Sequence, residues 1–230
     1  MTPSIIFDFD GTLAIGHGPV LAYARLLAPA AAPGFLQRVE AELVRYDNGA
    51  TDFRDGYNIV ASLGAADGVP EAIMAAAYTN SRAQLGTAQA PVESMPELKA
   101  VLSALGQYAH LVLATNAPGE GVDRVLANWN VQDRFDEQHF NVGKPAGLYN
   151  IVESALDRGP VLAIGDIAEY DLAPALQLGA DTALVGATAM TSTAPVTMRG
   201  ASLEHLASDI QTWAAQAANH SDTVSTFSER

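Results

Sequence analysis

Two aspartates two residues apart, Asp8 and Asp10, close the run Ser4-Ile5-Ile6-Phe7-Asp8-Phe9-Asp10-Gly11-Thr12 near the start of the chain. Strand side chains alternate faces, so the two carboxylates would share a direction in a continuing strand. Gly11 breaks the strand, which places both at its carboxyl end, where open α/β sheets bind ligands. Carboxylates crowded into one crevice repel, and a divalent cation relieves the repulsion. Further along stand Thr115-Asn116, Lys144-Pro145, Gly165-Asp166 and Asp171. These are the residue types a phosphate needs. Asp8 is suited to attack phosphorus and form an acyl phosphate. The Thr115 hydroxyl and neighbouring amides suit equatorial oxygens, and the Lys144 ammonium suits growing negative charge. Asp166, opposite Asp8, would complete a Mg2+ site of carboxylates, a main-chain carbonyl and waters. Each group also has a plain structural use: a cap for Thr115 or Asp171, a solvated cation for Lys144, a turn for Gly165-Asp166. Their joint occurrence, in order and each at a strand end, is what points to chemistry.

The strands that must present these groups are short and apolar: Ser4–Phe7, His110–Ala114, Pro160–Gly165 and Asp181–Val185, with a weaker one over Glu137–Val142. Continuous apolar runs suit parallel strands covered on both faces. Helical stretches alternate with them over Glu97–Leu105, Glu120–Trp129, Leu148–Leu156 and Leu172–Leu178, with a last helix over Leu203–Ala217. This rhythm predicts an α/β fold, a Rossmann-like doubly wound parallel sheet. Residues 14–91 break it. They read as an all-helical insertion over Val20–Leu27, Gly34–Tyr46, Asp52–Ser62 and Glu71–Ala83, with breaks at Asp47–Ala50 and Gly64–Gly68. The expected division is a core of 1–13 and 92–218, a helical insertion of 14–91 and a disordered or loosely docked tail of 219–230. Ser94 is expected to cap the returning helix, with Pro96 in its first turn.

Composition limits the partners. Twenty-six acidic against twelve basic residues give a formal charge of −14, which disfavours nucleic acid and anionic membranes. An anionic substrate must therefore be held locally, by a metal and a few placed cations. With no cysteine in 230 residues, disulfides, thiolate nucleophiles and Cys-based zinc sites are excluded. No segment reads as a signal peptide or membrane helix, so a soluble, cytoplasmic protein is expected. In the insertion, Arg45, Arg54 and Tyr57 are candidates to touch the non-phosphate part of a substrate, with ordinary surface roles as the alternative, and His17 either lines the cleft between insertion and core or serves as a hinge residue without catalytic duty.

Asp8-Phe9-Asp10-Gly11-Thr12, Thr115-Asn116, Lys144-Pro145 and Gly165-Asp166 with Asp171 together resemble the four ordered motifs of the haloacid dehalogenase (HAD) superfamily. The insertion lies where subfamily I members, such as phosphoglycolate phosphatase-like hydrolases, carry a helical cap. The resemblance implies Asp8 as nucleophile and Asp10 as general acid/base. It implies phosphoryl binding by Thr115, Asn116 and Lys144, with Lys144 also holding Asp8. It further implies a Mg2+ site of Asp8, Asp10 (through its carbonyl) and Asp166, oriented or bound by Asp171. The expected activity is hydrolysis of a small phosphorylated metabolite, with a phosphomutase or a non-catalytic binding protein as alternatives. Dehalogenation is disfavoured, since a halide leaving group needs no acid at Asp10. Two departures stand out: the span from Lys144 to Asp166 is short, and Ile167-Ala168-Glu169-Tyr170 begins less polar than in many relatives. Glu169 is either an extra ligand or a solvent-facing residue.

Overall fold

The computed structural model describes residues 1–225, with side chains to Asn219. In chain order the elements are β1 (Ser4–Phe7), α1 (Gly18–Leu27), α2 (Phe35–Asp47), α3 (Gly56–Ala66), α4 (Glu71–Ala83), α5 (Leu98–Leu105), β2 (His110–Ala114), α6 (Gly119–Asn128), β3 (Glu137–His139), α7 (Ala146–Leu156), β4 (Val161–Gly165), a π-helical turn (Ala168–Leu172), α8 (Ala173–Gln177), β5 (Asp181–Leu184), β6 (Met198–Arg199) and α9 (Leu203–Ser225). The strands form one six-stranded sheet in the order β3-β2-β1-β4-β5-β6, and every pair is parallel. Strand order reverses between β1 and β4, so the crevice at their carboxyl ends is the ligand position such sheets provide.

Alternation along β1, β2, β4 and β5 feeds two cores. Ile5, Phe7, Leu111, Leu113, Leu162 and Ile164 enter one with Leu102, Val122 and Ile210 of α5, α6 and α9. Ile6, Val112, Ala114, Val161 and Ala163 enter the other with Leu148 and Val152 of α7 and Ala175 of α8. Because both faces are covered there, the central strands β1, β2 and β4 are largely apolar instead of alternating with polar residues, while the edge strands β3 and β6 are polar and only half-buried. A third cluster is built from α1–α4 and the segments joining them, with Leu27, Phe35, Val39, Ile59 and Val60 at its centre.

Several local expectations need correction. Gly64 does not break α3: it lies within the helix, and a Cβ there would sit 2.6 Å from Leu27 Cδ2, so the glycine lets α3 approach α1. That helix starts at Gly56, not Asp52, because Asp55 caps it through a 2.6 Å bond from the Asn58 amide. Ser94 caps nothing; its hydroxyl donates to the Met95 carbonyl, and α5 begins after Glu97 at φ 56°. The weak strand stops at His139, since Asn141 takes φ 51°. β6 went unforeseen: two residues carry no periodicity, and pairing to Ala183 and Leu184 alone defines them. In the expected tail 219–230, backbone through Ser225 continues α9, and 226–230 lie outside the described residues.

Candidate active site

β1 runs into Asp8, whose amide donates to the Ile164 carbonyl of β4 at 2.9 Å. This fixes the carboxylate at the reversal point of the sheet. From β4, Gly165 leads directly to Asp166, and a Cβ on Gly165 would lie 2.2 Å from Asp171 Cβ. Only glycine admits the third aspartate so close. The π-helical turn delivers Asp171: its amide donates to the Ile167 carbonyl at 2.8 Å, and its Oδ2 accepts from the Ile167 amide at 3.0 Å. The helix expected over Leu172–Leu178 thus starts one turn earlier in π form, a distortion that recurs at functional sites.

Lys144 joins the aspartates. Its Nζ donates to Asp8 Oδ1 at 2.6 Å and to Asp171 Oδ1 at 2.8 Å, with all three side chains buried. Carboxylate oxygens of Asp8, Asp166 and Asp171 lie within 4.8 Å of one another. Three carboxylates, those of Asp8 and Asp171 buried and that of Asp166 half-buried, against one ammonium leave a formal excess of two negative charges. Burial and then Asp171 push Asp8 up to about 7 from the usual 3.8, outweighing the opposite pull of Lys144. Burial, then Asp171 and Asp8, hold Asp166 well above its ordinary range. Burial works against the Lys144 ammonium, yet Asp8 and Asp171 raise it above its usual value. Asp166 Oδ1 is buried without a hydrogen-bond partner, and the turn at Gly11, φ 81°, leaves no room for a Cβ, which would fall 2.1 Å from Asp166 Oδ2. An orphaned carboxylate oxygen in a cluster with excess negative charge fits a hard divalent cation.

The other predicted residues divide. Thr115 is buried at the end of β2, its Oγ1 accepting from the Ala117 amide at 3.0 Å. Asn116 is exposed, and its Oδ1 accepts from the Lys144 amide at 2.7 Å. Its observed contact positions the Lys144 backbone. The Asp10 carboxylate stands outside the acidic cluster; its Oδ1 instead accepts from Arg82 Nη1 at 2.9 Å. Glu169 is exposed and outside the cluster as well.

A family model described as haloacid dehalogenase-like hydrolase matches residues 3–179. The chain belongs to that family. It is a HAD-like hydrolase. No curated protein matches it. Among solved structures it resembles the HAD-hydrolase YfnB of Bacillus subtilis, described as bound to magnesium and showing interdomain movement, at 19% identity and a TM-score of 0.61 over 91% of this chain and 98% of that one. It also resembles the L-2-haloacid dehalogenase of Xanthobacter autotrophicus (17% identity, TM-score 0.52, 90% and 97% covered). A third is a HAD phosphatase of Thermococcus onnurineus (17%, 0.54, 90% and 96%). At these identities the likeness carries the fold, and both phosphatases and dehalogenases share it.

In this HAD-like hydrolase the sequence reading missed Arg82. Its side chain, on α4, is almost fully buried; Nη1 bonds both Asp10 and the Tyr57 hydroxyl, and the guanidinium lies over the Tyr57 ring at 5.6 Å. Burial opposes its charge, but Asp10 and Tyr57 raise it above its ordinary value. The available signal was an arginine four residues after Tyr78, since one helical turn aligns the two. Of the insertion candidates, Arg45 pairs with Glu42 and Asp52. Arg54 binds Asp55 and the Tyr170 hydroxyl. His17 meets Asp47 at 2.9 Å and lines a cavity of about 340 Å3 with Tyr57, Asp10, Gly11 and Asp166. Among the described residues no helix is long and apolar enough to cross a membrane.

Proposed function

We propose that this HAD-like hydrolase is a Mg2+-dependent phosphatase acting on a small phosphorylated metabolite in the cytoplasm. The carrying observation is the cluster of Asp8, Asp166, Asp171 and Lys144 at the strand ends, with its excess negative charge and the orphaned Asp166 Oδ1. Asp8 and Asp166 would hold the ion, with Asp171 orienting or joining them and the Asp10 main-chain carbonyl as a further donor. When bound, Mg2+ supplies charge neutralisation for the incoming phosphoryl oxygens.

Chemistry at the residues then follows. A carboxylate oxygen of Asp8 forms a bond to phosphorus as the ester oxygen leaves, giving an aspartyl phosphate. The Asp10 carboxyl gives its proton to the departing alkoxide. As a carboxylate, Asp10 then takes a proton from water, whose oxygen attacks phosphorus and releases inorganic phosphate and Asp8. Lys144 neutralises charge on Asp8 and on the phosphoryl group, and the Thr115 O–H donates to an equatorial oxygen. Asn116 supports this set by fixing the Lys144 backbone. A carboxylate at position 10 favours phosphoryl transfer over dehalogenation, which needs no leaving-group acid. On this reading residues 14–91 are a cap over a core of 1–13 and 92–218, closing the cavity against bulk water. The phosphoglycolate phosphatase-like assignment extends only to this helical insertion.

The test is hydrolysis of a generic aryl phosphate by the purified protein. Activity with Mg2+, its loss on chelation, and a fall of about 1,000-fold or more in Asp8→Asn are expected, since losing a nucleophile removes the covalent path. Equal inertness of wild type and Asp8→Asn across a panel of phosphorylated metabolites would replace this reading with that of a binding protein. Isomerisation without net phosphate release would replace it with that of a mutase.

A further inference from the structure

We propose that the cleft beside Asp10 takes a neutral, largely apolar alcohol, so that the substrate is a phosphomonoester whose tail carries neither a charge nor a run of hydroxyls. The inference rests on the phosphatase reading and adds the class of leaving group. On that reading Asp10 protonates the departing oxygen, which puts the alcohol in the space that Asp10 lines. This is the cavity of about 340 Å3, which also meets Asp166 and has a size suited to a small metabolite. A second hollow, lined by Thr188, Thr191 and Ser192, reaches Asp166 without Asp10 in its wall.

Charge is already matched along the Asp10 cavity. Asp10 Oδ1 accepts from Arg82 Nη1 at 2.9 Å. Both oxygens of Asp47 lie within 3.0 Å of His17 Nε2. Asp55 Oδ2 accepts from Arg54 Nε at 2.9 Å, and its Oδ1 accepts from the Asn58 amide at 2.6 Å. Arg82 also lies over the Tyr57 ring, and no lysine or arginine lines the cavity. A charged tail of either sign would have to break one of these pairs or give up its water against groups already matched, a costly exchange. Thr12 and Tyr46 add only neutral hydroxyls to the wall.

The surface left open is aliphatic. Ile15, Val20, Val92, Ile167 and Leu203 line the cavity. Val20 and Leu203 are buried, Val92 and Ile167 are half-buried, and Ile15 is 38% exposed. Main-chain bonds in both directions between Ile15 and Glu93, at 2.8 and 3.1 Å, fix the segment that presents this side chain. Covering such surface with an apolar tail is favourable in proportion to the area removed from water. A polyol would set its hydroxyls against the same side chains with few partners.

Four small esters separate the possibilities: 3-methylbutyl, 2,3-dihydroxypropyl, 2-aminoethyl and carboxymethyl phosphate. Their affinities for the wild-type protein with Mg2+ are read by inhibition of aryl phosphate hydrolysis, or by calorimetry if that substrate is not turned over. The 3-methylbutyl ester should bind tighter than each of the others by about tenfold or more, the gain from burying roughly 60 Å2 of apolar surface. Equal or tighter binding of any of the other three overturns the proposal. Ile15→Thr and Val92→Thr keep a β-branched shape while adding a hydroxyl. Each should narrow the ratio between the 3-methylbutyl and dihydroxypropyl esters by about threefold. An unchanged ratio in both variants overturns the assignment to this cleft. Failure of the phosphatase reading would be seen separately, as absent turnover of every ester and of the aryl phosphate, whatever their order of binding.

Discussion

Asp10 and Arg82 show how one side chain is held by another from a distant part of the chain. Seventy-two residues separate them, yet Arg82 Nη1 fixes Asp10 Oδ1 at 2.9 Å and reaches the Tyr57 hydroxyl with the same nitrogen. The Nε and Nη2 groups of Arg82 are buried without partners, an arrangement that costs stability and so calls for a reason. Orientation of the acid/base carboxylate is that reason on the phosphatase reading. Arg82→Met should lower kcat by ~100-fold, the scale of a small misplacement of a reacting group, with little change in KM. Arg82→Lys should restore part of it, because an ammonium can reach one oxygen but lacks the fork geometry. A loss confined to KM would assign Arg82 to substrate affinity instead.

At the scale of elements, glycines set how closely the strand ends and helices approach. Gly11 combines φ 81° with a projected Cβ 2.1 Å from Asp166 Oδ2. Gly11→Ala should therefore displace Asp166, weaken Mg2+ binding by at least tenfold and lower kcat, readable by metal titration. Gly64→Ala presses on Leu27 Cδ2, the end of a flexible side chain between α3 and α1. It should cost about 1–2 kcal/mol in stability by overpacking and leave metal affinity unchanged. Denaturant unfolding with parallel metal titration separates the two. If both substitutions weakened metal binding alike, the site would depend on global packing and not on the Gly11 turn.

For the whole molecule, the cluster ties stability to pH and metal. Asp8 sits at about 7 in the folded chain against an ordinary 3.8, from burial first and Asp171 second, and Asp166 moves the same way. Between these limits the folded state binds more protons than the unfolded one, so this contribution to stability falls as pH rises. Metal-free protein should thus lose Tm relative to Asp8→Asn as pH rises from about 4 to about 7. Mg2+ should raise Tm more at pH 7 than at pH 5, because the ion binds the deprotonated cluster. A metal-induced rise in Tm of equal size at both values would show that the aspartates are already ionised at the lower pH.

Much of this was legible in the residues themselves. Continuous apolar strands announced a parallel sheet covered on both faces, because both cores draw on β1, β2, β4 and β5. Asp8, Thr115 and Asp166 marked strand ends, because a turn and a polar residue must follow each buried run, whereas Lys144 lies five residues beyond the end of β3. Local signals erred where packing outranked propensity. Gly64 read as a break but serves a helix contact, Ser94 read as a cap but the chain turned at Glu97, and β6 exists only through its partner strand. Tertiary structure alone decided which carboxylates share a cluster. It set Asp171 beside Asp8 through the π-helical turn, drew Asp10 out to Arg82, and gave Asn116 to the Lys144 backbone. The sequence determines residue types and their order at strand ends through local chain geometry. Distances between charges depend on how elements far apart in the chain pack, and those distances decide which aspartates can share a cation.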